Sequence, residues 1–191
     1  MIWKPNVTVA AVIEQEGKYL LVEEAQSTGP DTVYNQPAGH LEPGESIVQG
    51  AIRETLEETG YTFVPQFLVG IYHWYCCDKD TTYLRFAFSG YTSDYDPNRP
   101  LDDGIIQAVW YSADQIQKLL HRHRSPLVMQ CIQDDLVGKR YRWSCLHTTK
   151  NNEKKTCNCR HVGWCRLICR CFSVEAAGAR SHRFVYEELG R

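Results

Sequence analysis

No stretch of this 191-residue chain approaches the roughly 18 consecutive apolar residues that a membrane-spanning helix requires, which excludes an integral helical membrane protein. The opening MIWKPNVTVAAVIEQEG also lacks the basic n-region, long apolar core and small-residue cleavage site of a secretory signal, so the cytoplasm is the expected compartment. No internal repeat is present, which excludes a solenoid or propeller. The nine cysteines include no C-x2-C pair, so known zinc-finger spacings are missing, and disulfides are not expected in a reducing compartment. What remains, with 43% hydrophobic content, is one globular domain or one domain plus an appendage.

The formal net charge of −2 hides two regimes. Residues 1–140 hold 11 basic and 19 acidic side chains, net −8, whereas residues 141–191 hold 10 and 4, net +6. Cysteine divides in the same way: Cys76, Cys77 and Cys131 lie in the first part and six lie in the last 51 residues. The domain boundary is therefore placed at 141, with 142–191 a basic, cysteine-rich tail expected to be poorly ordered. Its Cys157, Cys159, His161, Cys165, Cys169 and Cys171 do not fall at the spacing of a known zinc module, and no nucleic-acid-binding motif accompanies the positive charge.

The acidic regime alternates strand and helix patterns. Val7–Glu14 is β-branched and apolar, Lys18–Glu24 alternates, and Gln15-Glu16-Gly17 between them is a hairpin turn. Ser27–Tyr34 reads as a loop broken by Gly29-Pro30-Asp31. Phe67–Cys76 and Thr82–Tyr91 read as strands joined at Cys77-Asp78-Lys79-Asp80, followed by a strand over Ile105–Tyr111. Ser112 caps a helix running to Leu120, and a further helix covers Leu127–Val137. Helices flanking a mixed β-sheet give an α/β fold, an α/β/α sandwich.

The densest chemistry lies between Gly39 and Tyr61. Pro43-Gly44 forces a turn, Ser46 is a plausible helix N-cap, and Gly60 suits the C′ position. On that helix Glu54, Glu57 and Glu58, at i, i+3 and i+4, fall within an arc of roughly 100°. Carboxylates so close repel one another unless a cation sits among them, and hard oxygen donors suit Mg²⁺, with Mn²⁺ the other choice. Val48, Ile52, Thr55, Leu56 and Thr59 form the opposite, mostly apolar stripe that packs on a core.

Gly39, Glu45, Arg53, Glu54, Glu57, Glu58 and Gly60 match the pattern G-x5-E-x7-R-E-U-x-E-E-x-G-U at every spacing, where U is a bulky aliphatic residue. The chain thus resembles the Nudix hydrolases, with Thr55 and Tyr61 filling two hydrophobic slots loosely. The segments KPNVTVAAVIEQEGKYLLVEE, NQPAGHLEPGES, TTYLRFAFSG and RSPLVMQCI look like the NudJ group of bacterial Nudix phosphatases, a likeness covering roughly residues 1–141. The resemblance implies metal-dependent hydrolysis of nucleoside di- and triphosphates, and of thiamine diphosphate or hydroxymethylpyrimidine diphosphate, with release of orthophosphate. It also implies Glu57 and Glu58 as metal ligands, together with the Gly39 carbonyl; Glu45 is a candidate for a second ion. Glu54 is either a third ligand or the base that activates water, and Arg53 orients the glutamates. An extra carboxylate is expected from a later loop, where Asp102 or Asp103 is either that group or a turn residue.

Substrate recognition is expected outside this motif. In the strand Tyr72-His73-Trp74-Tyr75, alternation sets Tyr72 and Trp74 on one face, available either to stack a heterocycle or to pack in the core. Gln36 lies just ahead of the motif, and Arg85 either meets phosphate or closes a cross-strand salt bridge. The expected partner is a small di- or triphosphate, not a membrane or nucleic acid. Two other readings stay open: a pyrophosphatase acting on ADP-ribose or another nucleoside diphosphate-X, and a nucleotide-sensing module that does not cleave. The second is disfavoured because degenerate relatives lose one of the acids, and all are present here.

Overall fold

The computed structural model describes residues 3–26 and 31–146. All belong to the first of two units, Met1–Asn151 and Asn152–Arg191, into which the chain divides. In chain order the elements are β1 (Asn6–Gln15), β2 (Lys18–Ala25), β3 (Thr32–Asn35), β4 (Ala38–His40), α1 (Ile47–Thr59), β5 (Tyr61–Cys76), β6 (Thr81–Tyr95), β7 (Ile105–Ser112), α2 (Ala113–Lys118) and α3 (Leu127–Leu136).

The β1–β2 turn forms as the sequence predicts. Glu16 and Gly17 both adopt positive φ, 52° and 78°, the backbone that a tight two-residue hairpin with right-handed strand twist demands. β1 then runs parallel to β6 and antiparallel to β4, while β2 pairs antiparallel with β3 and β7. The strand order is β3-β2-β1-β6-β5, with β4 added on β1 and β7 on β2. This is a mixed, open sheet, and helices cover both faces.

β1 is the axis of the domain. Val9, Ala11 and Ile13 point to a cluster with Phe63, Phe88 and Ala51 of α1, while Ala10 and Val12 point to one with Val69, Ala87, Ile116, Val128 and Ile132. With both faces covered, the strand reads as a continuous apolar run instead of alternating, as buried parallel strands do. Phe88 is fully buried, and truncating a core aromatic of this kind costs about 3–5 kcal/mol.

The structure lengthens and adds strands. β5 and β6 extend to 16 and 15 residues. Register shifts at Tyr61/Phe63, Pro65/Phe67 and Leu68/Gly70 absorb Pro65 within the strand. Gly90 faces it, because a Cβ there would collide with the Val64 carbonyl. β3 and β4 lie where the sequence shows only a loop and a lead-in; both are short and are defined by pairing to β2 and β1.

Residues just past 141 still pack on this unit. Leu68 and Tyr141 exchange backbone hydrogen bonds of 2.9 Å, and Trp143 Nε1 donates to the Gln66 carbonyl at 3.2 Å. Trp143 and Leu146 rest against the α1-side cluster. The remainder of the basic, cysteine-rich tail lies outside the described residues. Among the described residues, no helix is long and apolar enough to cross a membrane.

Candidate active site

α1 is fixed at both ends by its own sequence. Ser46 accepts from Gln49 N at 3.2 Å while the Gln49 side chain accepts from Ser46 N at 3.0 Å, a complete capping box. At the other end Gly60, φ 72°, donates to the Leu56 carbonyl. The buried Thr55 and Thr59 hydroxyls donate back to the carbonyls of Ala51 and Thr55, which satisfies polar groups in slots where aliphatics would otherwise pack.

The sequence pattern sets all three glutamates opposite the packed face; instead Glu54 and Glu58 are each only 8% exposed, at the edge of the buried arc that includes Ala51 and Thr55. Gly39 makes this approach possible. A Cβ on Gly39 would overlap the Glu54 carboxylate, so glycine leaves room for that side chain in its contact with Arg53. Glu58 accepts a hydrogen bond of 2.8 Å from Ala38 N on the same strand.

Arg53 gathers the other carboxylates. Its guanidinium donates bidentately to Glu45, at 3.0 and 2.8 Å, and through Nη1 to Glu54 at 2.9 Å and Glu57 at 3.0 Å. A further bond reaches the His40 carbonyl at 3.1 Å. Glu42, largely solvent-exposed, is 4.0 Å away, in keeping with a loop charge outside the cluster.

Asp102 completes the constellation. Its N–H donates to the Glu57 carbonyl at 3.1 Å, and Asp96 N donates to the Gly60 carbonyl at 2.9 Å, so the loop before β7 is stitched to the end of α1. Carboxylate oxygens of Glu54, Glu57 and Asp102 lie within 4.8 Å of one another. Asp103 is not among them; of the two aspartates the sequence offers, Asp102 is the one brought in. Beside this cluster lies an open depression of about 710 Å³ lined by Glu57, Arg99, Pro100, Leu101, Asp102 and Asp103.

Electrostatics follow from burial. Desolvation raises the Glu54 carboxyl above its ordinary range, with Arg53 opposing that shift. Glu58 is pushed up to about 9, by burial first and then by the charges of Glu24, Glu54 and Asp102. Hydrogen bonds from Arg53 hold Glu45 low. Hard oxygen donors, close-set and short of positive charge, are what a divalent cation needs, so the residues present fit such an ion.

The residues expected to bind substrate separate. Arg85 lies opposite Tyr72 on β5 and opposite Thr8 on β1. It is 8% exposed, its oxygen acceptors are Asn35 Oδ1 at 3.4 Å and Gln36 Oε1 at 3.5 Å, and the Cys131 thiol lies beside it. Among the described residues no carboxylate forms an ion pair with it, so the cross-strand salt bridge does not form. Gln36 is a correction: it is 1% exposed and donates to the Val128 carbonyl at 2.7 Å, so it braces β3 against α3 and lines no open surface. Tyr72 packs against the α3-side cluster and donates to Asp134 at 3.0 Å, whereas Trp74 stacks on Tyr83 with centroids 5.5 Å apart. Core packing claims Tyr72, and Trp74 has an aromatic partner within the sheet.

Three residues had no sequence motif to mark them. Arg99 lines the depression, with a buried Nε that has no hydrogen-bond partner among the described residues. Glu24, ion-paired to Arg124 at 2.8 Å, is buried on β2 in the strand phase of Leu20 and Val22. Thr8 is a buried polar position on β1 whose hydroxyl is likewise unpartnered.

The NUDIX domain family model matches residues 3–131. The chain belongs to the Nudix family. It is 42% identical over 140 residues to Phosphatase NudJ of Shigella boydii serotype 4 (strain Sb227), covering 73% of this chain and 89% of that protein. Phosphatase NudJ of Escherichia coli (strain K12) is 41% identical over the same shares of the two chains. A solved structure of a NUDIX hydrolase from Nitrosomonas europaea superposes with TM-score 0.74 at 59% identity, covering 76% of this chain and 98% of its own. The MutT protein of Methanosarcina mazei Go1 gives TM-score 0.58 at 26% identity, covering 73% and 100%. The Nudix assignment makes this protein a hydrolase of phosphorus-containing acid anhydrides with a small-molecule phosphate substrate.

Proposed function

We propose that the protein is a Mg²⁺-dependent phosphohydrolase that removes the terminal phosphate of nucleoside di- and triphosphates, with thiamine diphosphate and hydroxymethylpyrimidine diphosphate in the same substrate class. The observation that carries this reading is the close approach of Glu54, Glu57 and Asp102, within 4.8 Å, beside an open depression large enough for a nucleotide-sized ligand. Likeness to proteins called Phosphatase NudJ supports orthophosphate as the released group.

Glu54, Glu57 and Asp102, whose oxygens converge, would hold the metal, with Glu58 and the Gly39 carbonyl beside them and Glu45 available to a second ion. When bound, a divalent cation neutralises phosphate charge and acidifies a coordinated water. Mn²⁺ meets the same donors. Glu54, whose buried carboxyl is raised, accepts the proton of the attacking water, and Arg53 keeps that carboxylate aimed by holding Glu45 and Glu57 beside it. Arg99 and Arg85 are the cations available to phosphate oxygens, and Trp74 is the aromatic surface available to a ring.

The test is orthophosphate against pyrophosphate release with Mg²⁺ from thiamine diphosphate, hydroxymethylpyrimidine diphosphate, common nucleotides and ADP-ribose, comparing wild type with Glu57→Gln. Mg²⁺-dependent orthophosphate release that the substitution abolishes is the expected result. Cleavage confined to ADP-ribose or a related nucleoside diphosphate-X would retain the chemistry and overturn the substrate class. Silence across the panel with metal still bound would indicate a nucleotide-sensing module.

A further inference from the structure

Arg85 is buried in a way that folding alone does not account for. Its Nε has no hydrogen-bond partner among the described residues, and neither does the hydroxyl of Thr8, its in-register neighbour on β1. Both side chains stand on the sheet face that also carries Ala10 and Ala87. Its other neighbours carry no negative charge: the amide oxygens of Asn35 at 3.4 Å and Gln36 at 3.5 Å, and the Cys131 thiol, which burial keeps protonated. Gln36 cannot turn away to relax this, because its amide nitrogen is tied to the Val128 carbonyl. A buried donor left unmade costs about 1–3 kcal/mol, and more when the group is charged. Such groups persist where a ligand completes them.

The acidic groups that act on Arg85 are the Cys131 thiol, then Glu24 and Glu58, and burial keeps the thiol and the Glu58 carboxyl protonated in the metal-free protein. Glu24 is occupied by Arg124, and Glu58 accepts from Ala38 N. The guanidinium is thus a cation placed next to the site and left without a counter-ion of its own. A neutral heterocycle would accept one or two hydrogen bonds there and leave the charge uncompensated; an anionic oxygen would do both.

We propose that Arg85 and Thr8 form an anion subsite that takes an oxygen of the substrate phosphate retained in the product, with Asn35 and Gln36 holding the guanidinium in place. This deepens the phosphohydrolase reading, on which it rests, by assigning the residues that grip the diphosphate from the sheet side. Arg85 is a binding residue here; Gln36 is a positioning residue that acts through it.

The experiment titrates methylenediphosphonate, a non-hydrolysable diphosphate, into wild type, Arg85→Gln, Arg85→Lys, Thr8→Val and Arg99→Gln, in Mg²⁺, with the thermal midpoint of each ligand-free variant read in parallel. Arg85→Gln is expected to lower affinity at least tenfold with a thermal midpoint unchanged or raised. Arg85→Lys should recover part of that loss, and Thr8→Val should cost about threefold. Wild-type affinity in Arg85→Gln, or loss confined to Arg99→Gln, would overturn the assignment and move the phosphate to the open depression. Should Arg85→Gln fail to fold, Thr8→Val decides: reduced affinity supports the subsite, and unchanged affinity overturns it. Binding is read separately from turnover. Wild type that binds the diphosphonate but hydrolyses nothing would sink the parent reading, while hydrolysis with full affinity in Arg85→Gln would sink this one alone.

Discussion

Two arginines near the candidate active site, Arg53 and Arg85, carry the same charge and have opposite surroundings. Arg53 is saturated: it bonds Glu45, Glu54, Glu57 and a backbone carbonyl, all at 3.1 Å or less, while staying 23% exposed. Arg85 is more deeply buried, and its neighbours are uncharged: two amide oxygens at 3.4 Å or more and the protonated Cys131 thiol. Folding explains the first, since without it three carboxylates would repel one another across a helix and a loop. Packing does not explain the second. One arginine completes the protein's own charges, and the other waits for a charge from outside.

The sharpest break of that comparison falls on the carboxylates Arg53 serves. Glu54→Gln keeps the shape and a hydrogen bond to Arg53 but removes the proton acceptor. Steady-state hydrolysis of the best panel substrate is expected to fall by about 10²–10⁴-fold, with the thermal midpoint little changed. A residual rate within tenfold of wild type would mean that Glu54 is not the base.

Arg53→Gln attacks the cation instead. Leaving Glu45, Glu54 and Glu57 without it should destabilise the metal-free protein by about 3 kcal/mol, measured by urea unfolding. Saturating Mg²⁺ should restore part of the loss, because an ion among the same oxygens supplies charge the side chain gave. No recovery with Mg²⁺ would mean that Arg53 acts only as a structural clasp.

How far the sequence foretold this site depends on distance along the chain. The helix, its Ser46 and Gly60 ends and the face carrying Glu54, Glu57 and Glu58 are local, so spacing and capping chemistry reveal them. Asp102 was one of two adjacent candidates, and only the backbone bond from its N–H to the Glu57 carbonyl, which no periodicity encodes, separates it from Asp103. β4 was illegible because three residues paired to β1 have no pattern of their own. The same holds for the buried pairing of Thr8 with Arg85, which depends on the register between two strands far apart in sequence. Gln36 shows the converse error: nearness to the motif suggested substrate contact, while tertiary packing turned it toward α3. Elements defined by neighbours i+3 or i+4 away could be read, and groups defined by partners dozens of residues distant could not.

Burial of Glu58 makes the stability of the metal-free protein depend on pH. The Glu58 carboxyl has the ordinary pKa of 4.5 when unfolded and is pushed up to about 9 by burial when folded and metal-free. Stability of the metal-free protein is therefore fullest below the lower value and declines as pH rises between them, by at most about 1.4 kcal/mol per pH unit. Chemical denaturation in EDTA across pH 5–9, taken as roughly that window, should show the decline in wild type and a flatter profile in Glu58→Gln. Mg²⁺ should flatten the wild-type profile too, since it stabilises the ionised form. A flat wild-type profile in EDTA would show that Glu58 is ionised in the folded protein throughout.

The smallest expected effect tests whether the α3 side of the sheet is built for packing except at Arg85. Tyr72 donates to Asp134, which also accepts from Lys139 at 2.9 Å and Gln130 at 3.1 Å. Tyr72→Phe removes one donor from a carboxylate that keeps two, and the ring remains against the α3-side cluster. The loss should be about 1 kcal/mol in unfolding free energy, with KM for the best substrate unchanged within twofold. If KM instead rises severalfold while stability holds, Tyr72 reaches the substrate after all. The anion subsite would then extend across the sheet from β1 to β5, with the hydroxyl of the residue opposite Arg85 as a further contact.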